Sequence, residues 1–113
     1  MNKIIKPWGY EELLEQNEQY MVKKLFMQKS HRCSLQFHKK KKETIFVLNG
    51  KLKISYGKDK KNLEEKTFCV NDKITIEPYT IHRMEAIEDS IYLEASTPEN
   101  DDVVRLQDDY KRD

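Results

Sequence analysis

His38 and Glu43 stand close together in the stretch SLQFHKKKKETIFVLNG, Ser34 to Gly50, with Gln36 two residues before the histidine. An imidazole, a carboxylate and an amide oxygen are donor types that divalent cations accept. Strand alternation puts Ser34, Gln36 and His38 on one face and Leu35 and Phe37 on the other. In ETIFVL, Glu43, Ile45 and Val47 share a face in the same way. With residues 39–42 as a four-residue hairpin loop, His38 opposes Glu43 and Gln36 opposes Ile45, and opposed Cβ atoms lie ~5 Å apart. The three donors then converge, and Lys39 to Lys42 stay hydrated in the turn. A fourth ligand is needed, and His82, opening a strand after the turn-like EPYT, is the best candidate. His31 competes, although as the leading residue of a loop it is expected to be exposed. The rival reading of the same spacing is a surface His–Glu pair with an unrelated His82.

These donors need short strands to hold them. From Tyr20 onward the chain has that texture: YMVKKLFMQ, CSLQFH, ETIFVLNG, KLKISYG, KTFCV, KITIEP, IHRMEAI and SIYLEAS are short runs rich in β-branched and aromatic residues. Turn signals separate many of them, and Asn49-Gly50 between two such runs predicts a type I′ hairpin. About eight short strands at regular spacing imply an all-β sandwich or barrel. Pro7 and Gly9 predict a bend, and Tyr10 to Gln16 a short helical turn after it. The acidic tail after Pro98 predicts a short strand or helical turn docked on the barrel.

Composition narrows the function. The 113 residues suit a single domain, 1–113, large enough for a real core. Charged residues make up 36%, but 21 basic and 20 acidic side chains cancel to +1, which argues against a nucleic-acid partner. No apolar run reaches the ~20 residues of a membrane span, and no apolar leader segment opens the chain, so a cytoplasmic protein is expected. Cys33 and Cys69 lack CxxC spacing and are expected as free thiols, buried as small hydrophobes.

The spacing His38, Glu43, Gly50, with Gln36 where a first histidine usually stands, resembles the first motif of the cupins. DKITIEPYTIH, ending at His82, looks like the second, with its usual glycines replaced. A more specific resemblance runs along nearly the whole chain. KPWGYEELL, MVKKLFM, SLQFHKKKKE, IHRMEA and DDVVRLQDDYKR resemble, in order, the cupin domain of type II mannose-6-phosphate isomerases. That domain is often fused behind a mannose-1-phosphate guanylyltransferase. The resemblance implies an all-β cupin double-stranded β-helix, a jelly-roll barrel with short N- and C-terminal extensions. It also implies a divalent metal, Zn²⁺ first and Fe²⁺, Mn²⁺, Ni²⁺ or Co²⁺ as alternatives, held by Gln36, His38, Glu43 and His82. Arg105 matches the family's catalytic arginine. Lys41 stands where the family has an arginine, Thr44 where it has a histidine, and Ser30 where it has a glycine.

The implied activity is aldose–ketose isomerisation of a sugar phosphate, mannose 6-phosphate to fructose 6-phosphate, in nucleotide-sugar or surface-polysaccharide synthesis. Such a reaction needs a Lewis acid, a base near C2 and a cation for the oxyanion. Metal-held water, Glu43, or Glu85, assigned to the same strand face as His82, are candidate bases. Lys23, Lys24, Arg32 and Arg83 are available for phosphate, with at most one of Lys23 and Lys24 facing inward, and Lys41 is a further candidate. A non-catalytic sugar- or nucleotide-sugar-binding cupin is the alternative, and an iron-dependent dioxygenase fits the tail blocks poorly. Trp8 and Tyr10 are expected to pack over the barrel or reach a partner protomer, and a homodimer is expected.

Overall fold

The computed structural model describes residues 2–99 and 101–112. Eleven strands form among them: β1 (Asn2–Lys6), β2 (Gly9–Gln16), β3 (Met21–Met27), β4 (Leu35–His38), β5 (Glu43–Asn49), β6 (Leu52–Gly57), β7 (Glu64–Phe68), β8 (Lys73–Ile76), β9 (Ile81–Ala86), β10 (Ser90–Ser96) and β11 (Val103–Gln107). They make two antiparallel sheets, one ordered β1-β2-β3-β10-β5-β8 and the other β11-β4-β9-β6-β7. No helix long and apolar enough to cross a membrane occurs among the described residues.

Alternation explains the core. Ile45 and Val47 of β5, Leu52 and Ile54 of β6, and Met84 and Ala86 of β9 turn inward and pack with Trp8, Leu25, Met27, Phe68 and Tyr92 between the sheets. Each fully buried aliphatic side chain contributes ~1.5–3 kcal/mol. This cluster joins both sheets, so the positions of inward polar side chains are fixed by apolar neighbours above and below them.

Four sequence expectations change here. Tyr10 to Gln16 is strand rather than helical turn, because β2 has a hydrogen-bonding neighbour on each side, β1 and β3. That ladder outweighs the helix propensity of YEELLEQ. Gly9 allows the close approach: a Cβ there would sit 1.9 Å from the Phe26 carbonyl oxygen. Asn49-Gly50 does not make a type I′ hairpin, which needs positive φ at both residues. Only Gly50 of the two has it (88°), and β5 and β6 lie in different sheets, so the turn carries the chain across the barrel. Likewise β4 and β5 are not a hairpin, since β4 pairs with β11 and β9 while β5 pairs with β10 and β8. The segment 39–42 is also a crossover.

The tail after Pro98 does dock, as β11 on β4. The Arg32 guanidinium donates two hydrogen bonds to Asp109, at 2.6 and 2.9 Å, and Tyr110 donates to the Arg32 carbonyl at 3.1 Å. Cys33 is buried as expected, whereas Cys69 is exposed, at the end of a sheet edge rather than under it.

Candidate metal centre

A cleft of about 480 Å³ opens between the sheets. Gln36 and His38 come to it from β4, Glu43 from β5 and Arg105 from β11. His82 of β9 lies behind this wall, fully buried, with its ring 5.4 Å from that of His38. The ligating atoms of His38, Glu43 and His82 all lie within 4.8 Å of one another. His38 and Glu43 meet across the interior rather than as a rung of one ladder, and the neighbour of Gln36 in register is His82, not Ile45.

The three side chains converge on one spot. The His82 Nδ1 lies 2.9 Å from the Thr80 carbonyl oxygen, which can only accept, so Nδ1 carries the hydrogen. Its Nε2 points at Glu43 Oε2, 3.4 Å away. The His38 Nε2 lies 3.7 Å from Glu43 Oε1. His38 Nδ1, His82 Nε2 and Glu43 Oε1 are buried without a hydrogen bond. Unpaired buried acceptors around a carboxylate are costly, and a shared cation removes that cost. Two imidazoles and a carboxylate are donor types that suit a divalent ion such as zinc, so the residues present fit the implied group.

Local charges shape the protonation of these groups. Burial pushes His38 down to about 4, more than Glu43 raises it, so the ring is neutral near pH 7. Burial alone would raise Glu43, but His82 and Lys41 beside it outweigh that and hold it at about 2. Burial works against a charged His82, yet the Glu43 carboxylate wins and raises its proton affinity. The pocket therefore attracts positive charge.

The other expected residues divide between inside and outside. Lys23 lines the cleft and pairs with Glu11 at 3.0 Å. Lys41 is 6% exposed, so the four lysines are not all hydrated; this one turns inward, 2.8 Å from Glu94 and 3.3 Å from Glu43. Arg83 and Glu85 lie on the outer face of β9, around a separate depression that Lys53 and Arg32 also line. Three positions separate His82 from Glu85, and alternation turns them apart, which corrects the shared face assigned above. Arg83 likewise alternates with His82, and its guanidinium reaches the Cys33 carbonyl instead of the cleft. His31 hydrogen-bonds the Lys29 carbonyl and does not join the cluster. Asp108 and Asp109 bind Arg112 and Arg32.

Sequence reasoning missed Glu94, Tyr92 and Glu11 on the cleft wall. In SIYLEAS the alternation Ser90, Tyr92, Glu94, Ser96 was visible, and a glutamate on a tyrosine's face was the available signal. Trp8 is buried in the core, and Tyr10 stacks on Phe26.

Comparison with known proteins places this geometry in context. Mannose-1-phosphate guanylyltransferase 2 of Escherichia coli O157:H7 is 28% identical over 116 residues, covering 98% of this chain. The chain spans only 23% of that relative's length. Among solved structures, CapF, the capsular polysaccharide assembling protein of Staphylococcus aureus, superposes with a TM-score of 0.82 at 15% identity, covering 94% of this chain and 34% of its own. KdgF from Halomonas sp. gives 0.78 at 14% identity, with 89% of each chain covered. Oxalate decarboxylase from Bacillus subtilis gives 0.82 at 13% identity, with 93% and 30% covered. At these identities the structures show the fold, the cupin jelly roll. Residues 1–108 match the family described as mannose-6-phosphate isomerase C-terminal. Sequence blocks, two-sheet fold and inward His–Glu–His cluster thus agree along most of the chain, which belongs to the mannose-6-phosphate isomerase C-terminal family of cupins.

Proposed function

We propose that this protein is a metal-dependent sugar-phosphate isomerase that interconverts mannose 6-phosphate and fructose 6-phosphate. The observation that carries the reading is the meeting of ligand atoms from His38, Glu43 and His82, all within 4.8 Å of one another, beside a cleft that also holds Arg105. In this reading His38, Glu43 and His82 hold the ion, with Gln36, the register neighbour of His82, as fourth ligand. A bound Zn²⁺ would supply Lewis-acid polarisation of the sugar oxygens.

The chain's own groups do the rest. Arg105 sits opposite Gln36 in register, so its cation faces the same space and steadies the oxyanion of the enediolate. Lys23 is the cleft lysine for the phosphate, since it lines the cleft and is held by one carboxylate, Glu11, whereas the Lys41 ammonium is shared between Glu94 and Glu43. Proton transfer between C1 and C2 requires a base inside the cleft, which leaves out Glu85. The same reading has one cupin domain over residues 1–113 acting in the cytoplasm as a homodimer. Strand β1 supports the dimer, since it lies at a sheet edge and its Ile5 is 76% exposed.

The second reading, a sugar-binding cupin without turnover, is favoured by Lys41 in place of the family's arginine. Thr44 does not add to it, because its hydroxyl bonds Thr75 on the neighbouring strand rather than facing the cleft. Elemental analysis paired with a coupled assay on mannose 6-phosphate separates the two. Turnover that disappears with the metal is the expected result. A metal-free preparation that still turns over overturns the proposal, and saturable calorimetric binding without turnover establishes the second reading.

A further inference from the structure

Glu94 has no part in that reading, yet it is a buried carboxylate in the cleft wall. It projects from β10 beside β5, where Glu94 pairs in register with Ile45 and Ser96 with Glu43. An ionised carboxylate in such a place costs several kcal/mol unless a cation meets it. Lys41 meets it. Its Nζ lies 2.8 Å from Glu94 Oε1 and 3.3 Å from Glu43 Oε1, so one ammonium touches two carboxylates.

One of those carboxylates belongs to the metal centre. An ammonium ion and a divalent cation would compete for Glu43, and attraction falls with distance, so the closer Glu94 contact draws Lys41 away from it. The backbone at Lys41 is also pinned. The Asp102 carboxylate accepts hydrogen bonds from the Lys40 and Lys41 amides, at 2.6 and 2.9 Å. With the root of the side chain fixed, what its ammonium end can vary is the division between the two carboxylates.

We propose that Glu94 is a positioning residue that holds the Lys41 ammonium off Glu43 and so keeps Glu43 available to a divalent cation. This rests on the metal-centre reading above. Without the Glu94 charge, Lys41 collapses onto Glu43 and competes with the ion. Without Lys41, Glu94 has no competitor to restrain.

The test is Zn²⁺ affinity of the full chain, by chelator competition, with circular dichroism to confirm folding. Glu94→Gln is expected to weaken zinc binding by ~10–100-fold, the usual size of an effect exerted through a ligand's neighbour. Lys41→Met should bind at least as tightly as wild type, and Lys41→Met with Glu94→Gln should return to about wild-type affinity. That rescue would not follow from a merely structural role. Wild-type affinity in Glu94→Gln, or a double variant as weak as the single one, overturns the proposal alone. A wild-type chain that binds no zinc overturns the metal-centre reading and this proposal with it. Should Glu94→Gln fail to fold, Lys41→Met and the double variant decide: a tenfold or larger difference between them overturns the proposal.

Discussion

The two faces of β9 treat buried polar groups in opposite ways. On the outer face Arg83 is buried, and each of its nitrogens finds an oxygen: Nε donates to the Cys33 carbonyl at 2.9 Å, and the two terminal nitrogens to Gln107 at 3.3 and 3.2 Å. On the inner face its neighbour His82 is also buried, but Nε2 looks at Glu43 across 3.4 Å without a hydrogen bond. A saturated buried group holds structure together, and an unsaturated one is a place for something that is not protein. The outer site ties β11 to the barrel, and the inner site is the candidate metal centre.

The largest effect that would break this contrast is on the inner side. His82→Ala should lose metal affinity by more than ~100-fold, beyond what outer-shell changes produce, as measured by chelator competition. Retained affinity would remove the metal centre from the inner face. Next, Arg105→Ala should keep its metal but lose ~10²–10³ in kcat, the scale of a lost oxyanion donor, in the coupled assay. On the outer side, Arg83→Ala should leave metal content unchanged and cost ~1–3 kcal/mol of stability in urea titration, the price of stranding its buried acceptors. A loss of metal there would show that the two faces are not separate.

The smallest effect concerns pH. Asp108, held by the Arg112 guanidinium, has its carboxyl lowered to about 2. A group whose folded pKa is depressed adds stability above its unfolded pKa, ~3.9 for aspartate, and that stability is lost as pH falls through the folded value. Asp109, lowered by Arg32, acts in the same sense. The hydrogen-exchange protection of residues 103–107, taken relative to unfolded chain at the same pH, should therefore fall between about pH 4 and pH 2 before that of the core strands. Simultaneous opening of β9 and β11 would argue against an independently docked tail.

Much of this was legible in the residues. Alternation in SLQFH and ETIFVL assigned Gln36, His38 and Glu43 to converging faces, and all three line the cleft. What alternation cannot supply is the sheet to which a strand belongs. Period two distinguishes in from out, but both the hairpin geometry and the crossover geometry of 39–42 bring His38 to Glu43. The same ambiguity hid the role of Asn49-Gly50, whose dipeptide suits a two-residue turn in either setting. Lys41 was lost for a different reason: a run of four lysines reads as solvated, and only Glu94, distant in sequence, makes a buried position for one of them affordable. Strand β2 was hidden by helix-forming residues whose ladder partners lie on both sides.

Because segment 39–42 crosses between sheets, the two halves of the His38–Glu43 pair are chain neighbours that belong to different ladders. Their meeting with His82 therefore waits for both sheets to close on each other, which places this centre among the last features to form as the chain folds. A metal ion held there would distinguish the finished barrel from every looser form, and binding only the finished form would raise its population by mass action. Added zinc should slow unfolding without hastening the early steps of refolding, which would make the ion a reporter of topology.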